Sequence, residues 1–205
     1  ALKISSKLLD RNGLLIIEVH DFDLIRKRSE FSLFEHEHTI YLNKQSAKYL
    51  LNVAGYEVIK FNIITPKHRR ANSLIIVAKK IQNQKLFISN NISLKKNIQN
   101  KIDKTVQCID NFIKKKSSLG KLIAGWGVGG RGVITLASIK NSNLISYIVD
   151  NSNISHGYLT PKSNLRIKNP IYLKNKKVDY VIVFSFGYID EIIKQCMEYG
   201  YKKNQ

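Results

Sequence analysis

The chain has 205 residues, of which 43% are hydrophobic and 24% are charged; these proportions exclude a wholly disordered chain, and the length suffices for one large domain or two small ones. The 34 Lys and Arg outnumber the 15 Asp and Glu, so the formal net charge is +19, a value that invites a nucleic-acid or membrane-surface partner. Because Lys supplies most of the excess, and Ile and Asn are also abundant, we interpret the charge as compositional drift and expect neither nucleic acid nor membrane as a partner.

The first predicted region covers residues 1–80 and has the pattern of the closing part of an α/β sheet. Its predicted elements, in chain order, are a helix over 2–9, a strand over 14–19, a polar and aromatic stretch over 21–43, a helix over 44–54 and two strands over 57–65 and 73–79. The run from Leu14 to Val19 is apolar except for Glu18, which is typical of a strand covered on both faces. The last two strands are neighbours in sequence, and we expect them to form an antiparallel pair.

Residues 81–119 form a second predicted region, which is basic and mostly helical. Between residues 79 and 121 there are eleven Lys and only two acids. Apolar residues recur there at spacings of three and four, which predicts a long connecting helix over about 94–117. We expect a solvated helix with one apolar stripe packed on a neighbour; a phosphate-binding face is the alternative.

From Gly120 onward, short apolar runs alternate with helical patterns. The predicted strands are 121–126, 144–150 and 180–184, and the predicted helices are 133–140 and 188–198. Such alternation is the pattern of βαβ units, in which successive strands run parallel. We therefore predict a parallel-sheet domain over residues 120–205.

A glycine-rich loop follows the first strand of this domain and precedes a helix. Gly125, Gly127 and Gly130 match G-x-G-x-x-G, in which the glycines allow a tight turn, the close approach of a pyrophosphate, and close helix packing. Arg131 stands in the first helical turn and can add a charge-assisted contact to phosphate. Asp150 ends the next strand, where an acid accepts hydrogen bonds from ribose hydroxyls. The alternative is a turn kept glycine-rich for packing, with Asp150 capping a loop.

The densest group of titratable residues is Glu35-His36-Glu37-His38. An imidazole titrates near neutral pH and a neighbouring carboxylate can orient it, so general acid–base chemistry is one interpretation. A zinc site needs further ligands, and none lies at a recognisable spacing, so we expect no metal. A polar loop with ordinary surface His stays equally open on the residues alone.

Only two cysteines, Cys108 and Cys196, occur in the chain, which excludes a disulfide framework and a four-cysteine zinc site. The first ten residues carry no cleavage pattern of a secretion signal, and no apolar run approaches the roughly 20 residues that cross a bilayer. We expect a cytoplasmic protein. Since the chain opens on Ala in the middle of a helical pattern, we also expect it to be a piece of a longer one.

Several segments together carry a family resemblance. They are NGLLIIEVHDFDL from Asn12, EHEHTIYL from Glu35, GWGVGGRG over Gly125–Gly132 in place of G-Y-G-x-x-x-K-G, the triplet Ile148-Val149-Asp150, and SFGYIDEI from Ser185 in place of A-W-N-x-x-D-E-I. With these segments the chain resembles the C-terminal two-thirds of the sugar C-methyltransferase family, which acts on nucleotide-linked deoxysugars. The resemblance covers nearly the whole chain from Asn12 onward.

The resemblance implies a division of the chain. Family members have an N-terminal zinc-binding Cys cluster, a central domain that binds S-adenosylmethionine and a C-terminal Rossmann-like domain. It implies that residues 1–80 end the methyltransferase-like Rossmann sheet of the central domain, that 81–119 connect, and that 120–205 form the C-terminal domain. The Cys cluster and the glycine loop for S-adenosylmethionine are expected before Ala1. We therefore expect this cofactor only in the complete enzyme, and no activity from the 205-residue chain by itself.

The resemblance also implies catalytic residues. By the family's Y-H-E-H motif, His38 is the base, Glu37 is the neighbouring acid, and Glu35 stands where the family has Tyr. His38 would remove a proton from a sugar carbon next to a ketone, and that carbon would attack the methyl group of S-adenosylmethionine. The implied partner is a nucleotide-diphosphate sugar. The residues leave one alternative: a Rossmann module that binds NAD or a nucleotide sugar without chemistry of its own.

Overall fold

The computed structural model describes residues 1–34, 38–64, 73–81 and 98–203. Its contacts divide the chain into two compact units, which are described separately. Unit 1 comprises Ala1–Glu30 and His36–Ile98, and unit 2 comprises Phe31–Glu35 and Gln99–Gln205. None of the helices within the described ranges is long and apolar enough to cross a lipid bilayer.

Unit 1 is built on an antiparallel sheet. Its elements are α1 (Leu2–Leu8), β1 (Leu14–His20), α2 (Phe22–Arg28), α3 (Lys44–Val53), β2 (Tyr56–Ile63) and β3 (Ser73–Lys80). In the described residues the sheet has the order β1-β3-β2, with β3 antiparallel to both neighbours. The predicted antiparallel pair of the last two strands is confirmed.

Helix α3 covers one face of this sheet. It begins with a capping box, in which Asn43 Oδ1 accepts the Ser46 N–H and Ser46 Oγ accepts the Asn43 N–H, each at 2.9 Å. The buried core between helix and sheet consists of Ala47, Leu51, Tyr56, Leu74, Ile76 and Ala78. Each large apolar side chain buried in this way contributes about 1.5–3 kcal/mol.

The other face of β1 is open among the described residues. Burial alternates along the strand, and Leu14 and Ile16 are 54% and 67% exposed. The prediction of a strand covered on both faces was therefore wrong for the described residues. A continuous apolar run shows that both faces of a strand could be buried. It does not show which face another part of the protein covers.

The stretch after β1 contains a helix that the sequence prediction lacked. Asp21 is buried and caps α2, because its Oδ1 accepts the Asp23 N–H at 2.8 Å. Three basic residues lie in the last turn of α2. Their positive charges interact favourably with the negative end of the helix dipole and so stabilise the helix. The helix ends at Ser29, which has a φ of +55°. These start and stop signals were present in the sequence.

Unit 2 is a Rossmann-like α/β unit. Its elements are α4 (Ile98–Ser118), β4 (Ile123–Trp126), α5 (Gly130–Ser138), β5 (Tyr147–Val149), β6 (Ile167–Lys168), α6 (Tyr172–Asn175), β7 (Tyr180–Val183) and α7 (Ile189–Glu198). In the described residues four parallel strands pair in the order β6-β5-β4-β7. The predicted parallel sheet is confirmed.

Helices lie on both faces of this parallel sheet. One core joins Ile113 of α4 and Leu136 of α5 to Ile123 of β4. The second core joins Leu173 of α6 and Ile192 of α7 to the opposite face. All four residues of β4 are buried, as expected of a central strand in a doubly covered sheet. The long helix predicted over about 94–117 begins, in the described part, at Ile98 and packs its apolar stripe into unit 2.

Candidate functional site

The imidazole of His38 is the member of the predicted catalytic cluster that the structure describes. Glu35, His36 and Glu37 lie outside the described residues. His38 is exposed, and its ring contacts two other rings edge to face. The ring centroids are 5.1 Å apart for His20 and 6.1 Å apart for Tyr41. Three ionisable rings thus meet at one end of the unit 1 sheet.

The backbone explains why His38 lies beside His20. Strand β1 ends at His20, and the next residue, Asp21, forms an isolated parallel bridge with Leu42. The Phe22 N–H donates to the Leu42 carbonyl at 2.9 Å. The segment from His38 to Leu42 is therefore held alongside the end of β1, just before α3 begins.

A carboxylate and a hydroxyl lie at the same end of the sheet. Ser73 Oγ donates to Glu18 Oε1 at 2.6 Å, and Ser73 pairs with His20 in the register of β1 and β3. Because side chains alternate along a strand, Glu18 and His20 share one face of β1. Imidazole, carboxylate and hydroxyl groups are the groups that take up and release protons in acid–base catalysis. The sequence analysis missed Glu18, His20 and Ser73, although the spacing of Glu18 and His20 was a usable signal.

In unit 2, packing requires glycine at Gly125 in β4, at Gly127 in the loop that follows, and at Gly132 in α5. A Cβ on Gly125 would lie 2.9 Å from the Phe184 ring. Gly127 has a φ of +108°, and a Cβ there would lie 2.0 Å from Ser185 Oγ. A Cβ on Gly132 would lie 2.3 Å from the carbonyl oxygen of Gly127. The packing alternative of the sequence analysis thus accounts for Gly125 and Gly127.

Asp150 holds the glycine loop. Its Oδ2 accepts the Val128 N–H and its Oδ1 accepts the Ser152 N–H, both at 2.7 Å. His156 Nε2 lies 2.8 Å from the carbonyl oxygen of Asp150. An ionised carboxylate has about four acceptor positions, so each oxygen keeps capacity for one further donor. Asp150 thus clamps the loop, and its predicted contact to ribose stays a prediction.

The start of α5 is the open part of the loop. A Cβ on Gly129 would meet no atom within 4 Å. Helix α5 begins at Gly130, and Arg131 is exposed in its first turn. The first N–H groups of a helix have no partner within the helix and attract anions. Gly130 and Arg131 therefore have the surroundings that the phosphate-binding prediction requires.

Comparison with known proteins decides the family. A family model described as a C-methyltransferase C-terminal domain matches residues 61–205, more than two thirds of the chain. The chain belongs to this C-methyltransferase family. No curated protein matches it.

Membership in the C-methyltransferase family confirms the resemblance and the enzyme class, a methyltransferase. The match begins at residue 61, within β2, so it includes β3 of unit 1 as well as α4 and the parallel sheet of unit 2. Among the residues that the structure describes, no group of three or more His, Cys, Asp or Glu could hold a metal ion.

Exposed aromatic residues beside the glycine loop are a further feature of this C-methyltransferase domain. Strands β5 and β7 flank β4 on opposite sides, and α/β sheets bind ligands where the strand order changes direction. The loop after β7 lies there, because Ser185 meets Gly127. Phe186 and Tyr188 follow, 73% and 52% exposed. The sequence analysis used this stretch for the family resemblance and gave neither ring a role.

Proposed function

We propose that this chain is part of an S-adenosylmethionine-dependent C-methyltransferase that acts on a nucleotide-linked keto-deoxysugar, with His38 as the base. The observation that carries the proposal is the family match over residues 61–205. Carbon is methylated only after it becomes nucleophilic, and a ketone makes the neighbouring C–H acidic enough for a protein base to remove. A C-methyltransferase therefore needs a base whose pKa lies near neutral, and the imidazole of a histidine is such a base.

His38 supports this assignment by its surroundings. Its imidazole is exposed, so a substrate can reach it, and the contact to His20 restricts how the ring can turn. In the proposed reaction the C–H bond next to the ketone breaks and the proton passes to an imidazole nitrogen of His38. Glu37 is proposed as the acid that orients this ring, and Glu35 as the acceptor in the position of the family's Tyr.

S-adenosylmethionine supplies the methyl group when it is bound. The glycine loop of unit 2 fits this cofactor poorly, because Ser185 fills the space above Gly127. We therefore assign no described residue to the methyl donor.

For the nucleotide part of the substrate, we propose the first turn of α5. Gly129 leaves the approach open, and Gly130 and Arg131 offer N–H groups and a positive charge to a diphosphate. Phe186 is proposed to stack on the nucleobase, because an exposed ring offers a flat apolar surface. In this proposal Gly125 and Gly127 shape the loop, and Asp150 clamps it.

The alternative function is a nucleotide- or NAD-binding module without chemistry of its own. The parallel sheet and glycine loop of unit 2 favour it equally. Separate calorimetric titrations of the chain with NAD and with a thymidine-diphosphate keto sugar distinguish the two. We expect binding of the sugar nucleotide that is weakened about tenfold to a hundredfold by Arg131→Ala, since a charge-assisted contact contributes about 1.5–3 kcal/mol. Binding of NAD alone would support the module instead.

The experiment that tests the base follows proton exchange in heavy water. A keto sugar nucleotide incubated with the enzyme should take up deuterium beside its ketone without any methyl donor. His38→Ala should abolish this uptake and leave sugar-nucleotide affinity within about twofold, because the base acts on the reacting carbon. Ile40→Ala, a nearby exposed residue, is the matched control. Persistent uptake in His38→Ala would exclude His38 as the base.

We further propose that the 205-residue chain transfers no methyl group by itself. The assay supplies labelled S-adenosylmethionine and the keto sugar nucleotide to the purified chain. A labelled sugar product would contradict this proposal and leave the proposed substrate class intact.

A further inference from the structure

Strand β7 lies at one end of the parallel sheet, and within the described part of the chain it pairs with β4 alone. The N–H groups of Tyr180 and Phe184 donate to carbonyl oxygens in or next to β4, at 3.1 Å and 2.8 Å. Because backbone groups alternate in direction along a strand, the N–H and C=O groups of Val181 and Val183 point away from β4. These outward groups form the β7 edge, and such an edge is a template for a further strand.

A cavity of about 280 Å³ lies beside the β7 edge, between β7 and α7. Val181 and Val183 line it from the strand, and Ile189, Ile192 and Cys196 line it from the helix. The two valines thus turn their backbone groups to the edge and their side chains to the cavity. Sites for whole small molecules usually measure about 300–1,000 Å³, so this cavity suits a single apolar side chain better.

Two lysines lie at the rim of the cavity. The chain after α7 is held by Tyr201, whose hydroxyl donates to the Leu173 carbonyl at 3.0 Å and accepts the Val178 N–H at 3.2 Å. Lys202 and Lys203 follow directly, line the cavity and are exposed to solvent. The rim therefore attracts negative charge next to an apolar group.

We propose that the β7 edge binds an extended, acidic polypeptide segment of a partner protein, which adds to the sheet as a further strand. Its main chain bonds to Val181 and Val183, and one of its apolar side chains enters the cavity. Acidic side chains on the same face of the segment contact Lys202 and Lys203. A strand combines these contacts, because its side chains at i and i+2 share one face while its backbone pairs with the edge.

A second copy of this chain is a poorer occupant of the β7 edge. It would bring the same two lysines to the contact, and each copy carries a formal net charge of +19. Like charges of this size oppose self-association. An acidic segment, in contrast, complements the rim.

The probe for the test is the peptide acetyl-Thr-Glu-Thr-Leu-Thr-Glu-Thr-amide. Its Leu and both Glu share one face, and Thr favours the extended backbone. The peptide is titrated against the 205-residue chain labelled with nitrogen-15 valine. The amide signals of Val181 and Val183 are assigned by their loss in Val181→Ile and Val183→Ile. We expect both signals to shift with a saturable Kd below about 1 mM.

N-methylation of alternate peptide residues tests the main-chain pairing. One set comprises Leu and both Glu, and the other comprises the two inner Thr. Methylation of the set whose N–H groups face β7 should weaken binding about tenfold or more, and methylation of the other set should change it less than about threefold. Because same-face residues are hydrogen-bonded only in antiparallel pairs here, a loss with the Leu and Glu set indicates an antiparallel strand and a loss with the Thr set a parallel one.

The side-chain contacts are tested one by one. Replacing the peptide Leu by Thr should weaken binding about tenfold, because the cavity loses its apolar occupant. The double variant Lys202→Ala/Lys203→Ala should bind the original peptide about five- to tenfold more weakly at low salt. Lys114→Ala is the matched control, since Lys114 is exposed on α4 and its loss should change the Kd less than about twofold.

Four results would overturn the proposal. They are no shift of the Val181 and Val183 signals at about 1 mM peptide, equal losses with both methylated sets, equal affinities of the Leu and Thr peptides, and equal effects of the rim and Lys114 variants. Sedimentation velocity of the chain without peptide adds a fifth criterion. Self-association that is abolished by Val183→Lys would assign the β7 edge to a second copy instead.

Discussion

The imidazole rings of His20 and His38 meet edge to face, with centroids 5.1 Å apart and ring planes at 88°. The two residues are joined through the backbone, because Asp21 and Leu42 bridge the end of β1 to the segment that carries His38. The contact therefore connects a strand end with an exposed segment, and it restricts the ring that we propose as the base.

Replacing His20 tests this contact. His20→Phe keeps an aromatic ring and should retain His38-dependent deuterium uptake within about threefold. His20→Ala should reduce uptake by up to about tenfold, because an edge-to-face pair contributes about 0.5–1.5 kcal/mol and 1.4 kcal/mol corresponds to tenfold. Equal losses in both variants would show that His20 acts through its nitrogen atoms rather than through its ring.

Gly127 and Gly129 form a matched pair for testing the glycine loop. Gly127→Ala should lose about 3 kcal/mol of unfolding free energy, since the new Cβ meets Ser185 Oγ at 2.0 Å and the φ is +108°. Gly129→Ala should stay within about 0.5 kcal/mol, because its φ is −60° and the space is open. Urea denaturation measures both. Similar stabilities for the two variants would contradict the packing role of Gly127.

Asp179 is expected to make the stability of unit 2 dependent on acid pH. The Leu122 N–H donates to its Oδ2 at 2.8 Å and Lys121 Nζ to its Oδ1 at 2.9 Å. These contacts, the Leu122 N–H first, hold the pKa of Asp179 below its usual value of 3.8. Because the folded pKa is the lower one, the stabilisation is complete above pH 3.8 and is lost as the pH falls through the folded value.

Asp179→Asn should therefore be less stable than the unmodified chain at pH 7, and the difference should vanish in acid below both pKa values. Lys121→Met keeps the Leu122 hydrogen bond and should show a smaller difference at pH 7. Urea midpoints across the pH range measure both effects. A difference that persists unchanged in strong acid would contradict the expected titration.

Cys196 should be slow to react with alkylating agents in the folded protein. Burial raises the pKa of its thiol from 9.0 to about 11, and the thiolate is the reactive form. Two pKa units mean about a hundredfold less thiolate near pH 8. In Cys108→Ser, iodoacetamide should label Cys196 slowly in buffer and rapidly in guanidinium. Rapid labelling in buffer would contradict the burial of this thiol.

The parallel sheet of unit 2 was predictable because its signals are local. Strands β4, β5 and β7 lie in short apolar runs, and glycines mark the turn after β4. Strand β6, Ile167–Lys168, has no such run and was not predicted. The role of those glycines was not predictable, since Ser185, which closes on Gly127, comes from the loop after β7. In unit 1, the run from Leu14 to Val19 predicted a strand, but burial depends on neighbours that a local pattern does not contain.

In the candidate catalytic site, too, residues with a local sequence signal could be predicted and contacts between distant residues could not. His38 was found because His and Glu are dense in that stretch. The contact of His20 with His38 could not be predicted, because it depends on the bridge between Asp21 and Leu42, which pairs residues far apart in the sequence. The docking of Leu33 on α5 is likewise a contact between distant parts of the chain.

The 3-10 turn over Phe31–Leu33 has Cα atoms within 8 Å of those of α5, and this contact has a consequence for synthesis of the chain. Phe31 and Leu33 leave the ribosome about a hundred residues before α5, which at 5–20 residues per second is about 5–20 s. During that interval the two apolar side chains lack the helix that buries them. A fragment that begins at residue 99 would keep α5 but lack Phe31 and Leu33, so the surface of α5 that these residues contact would be exposed.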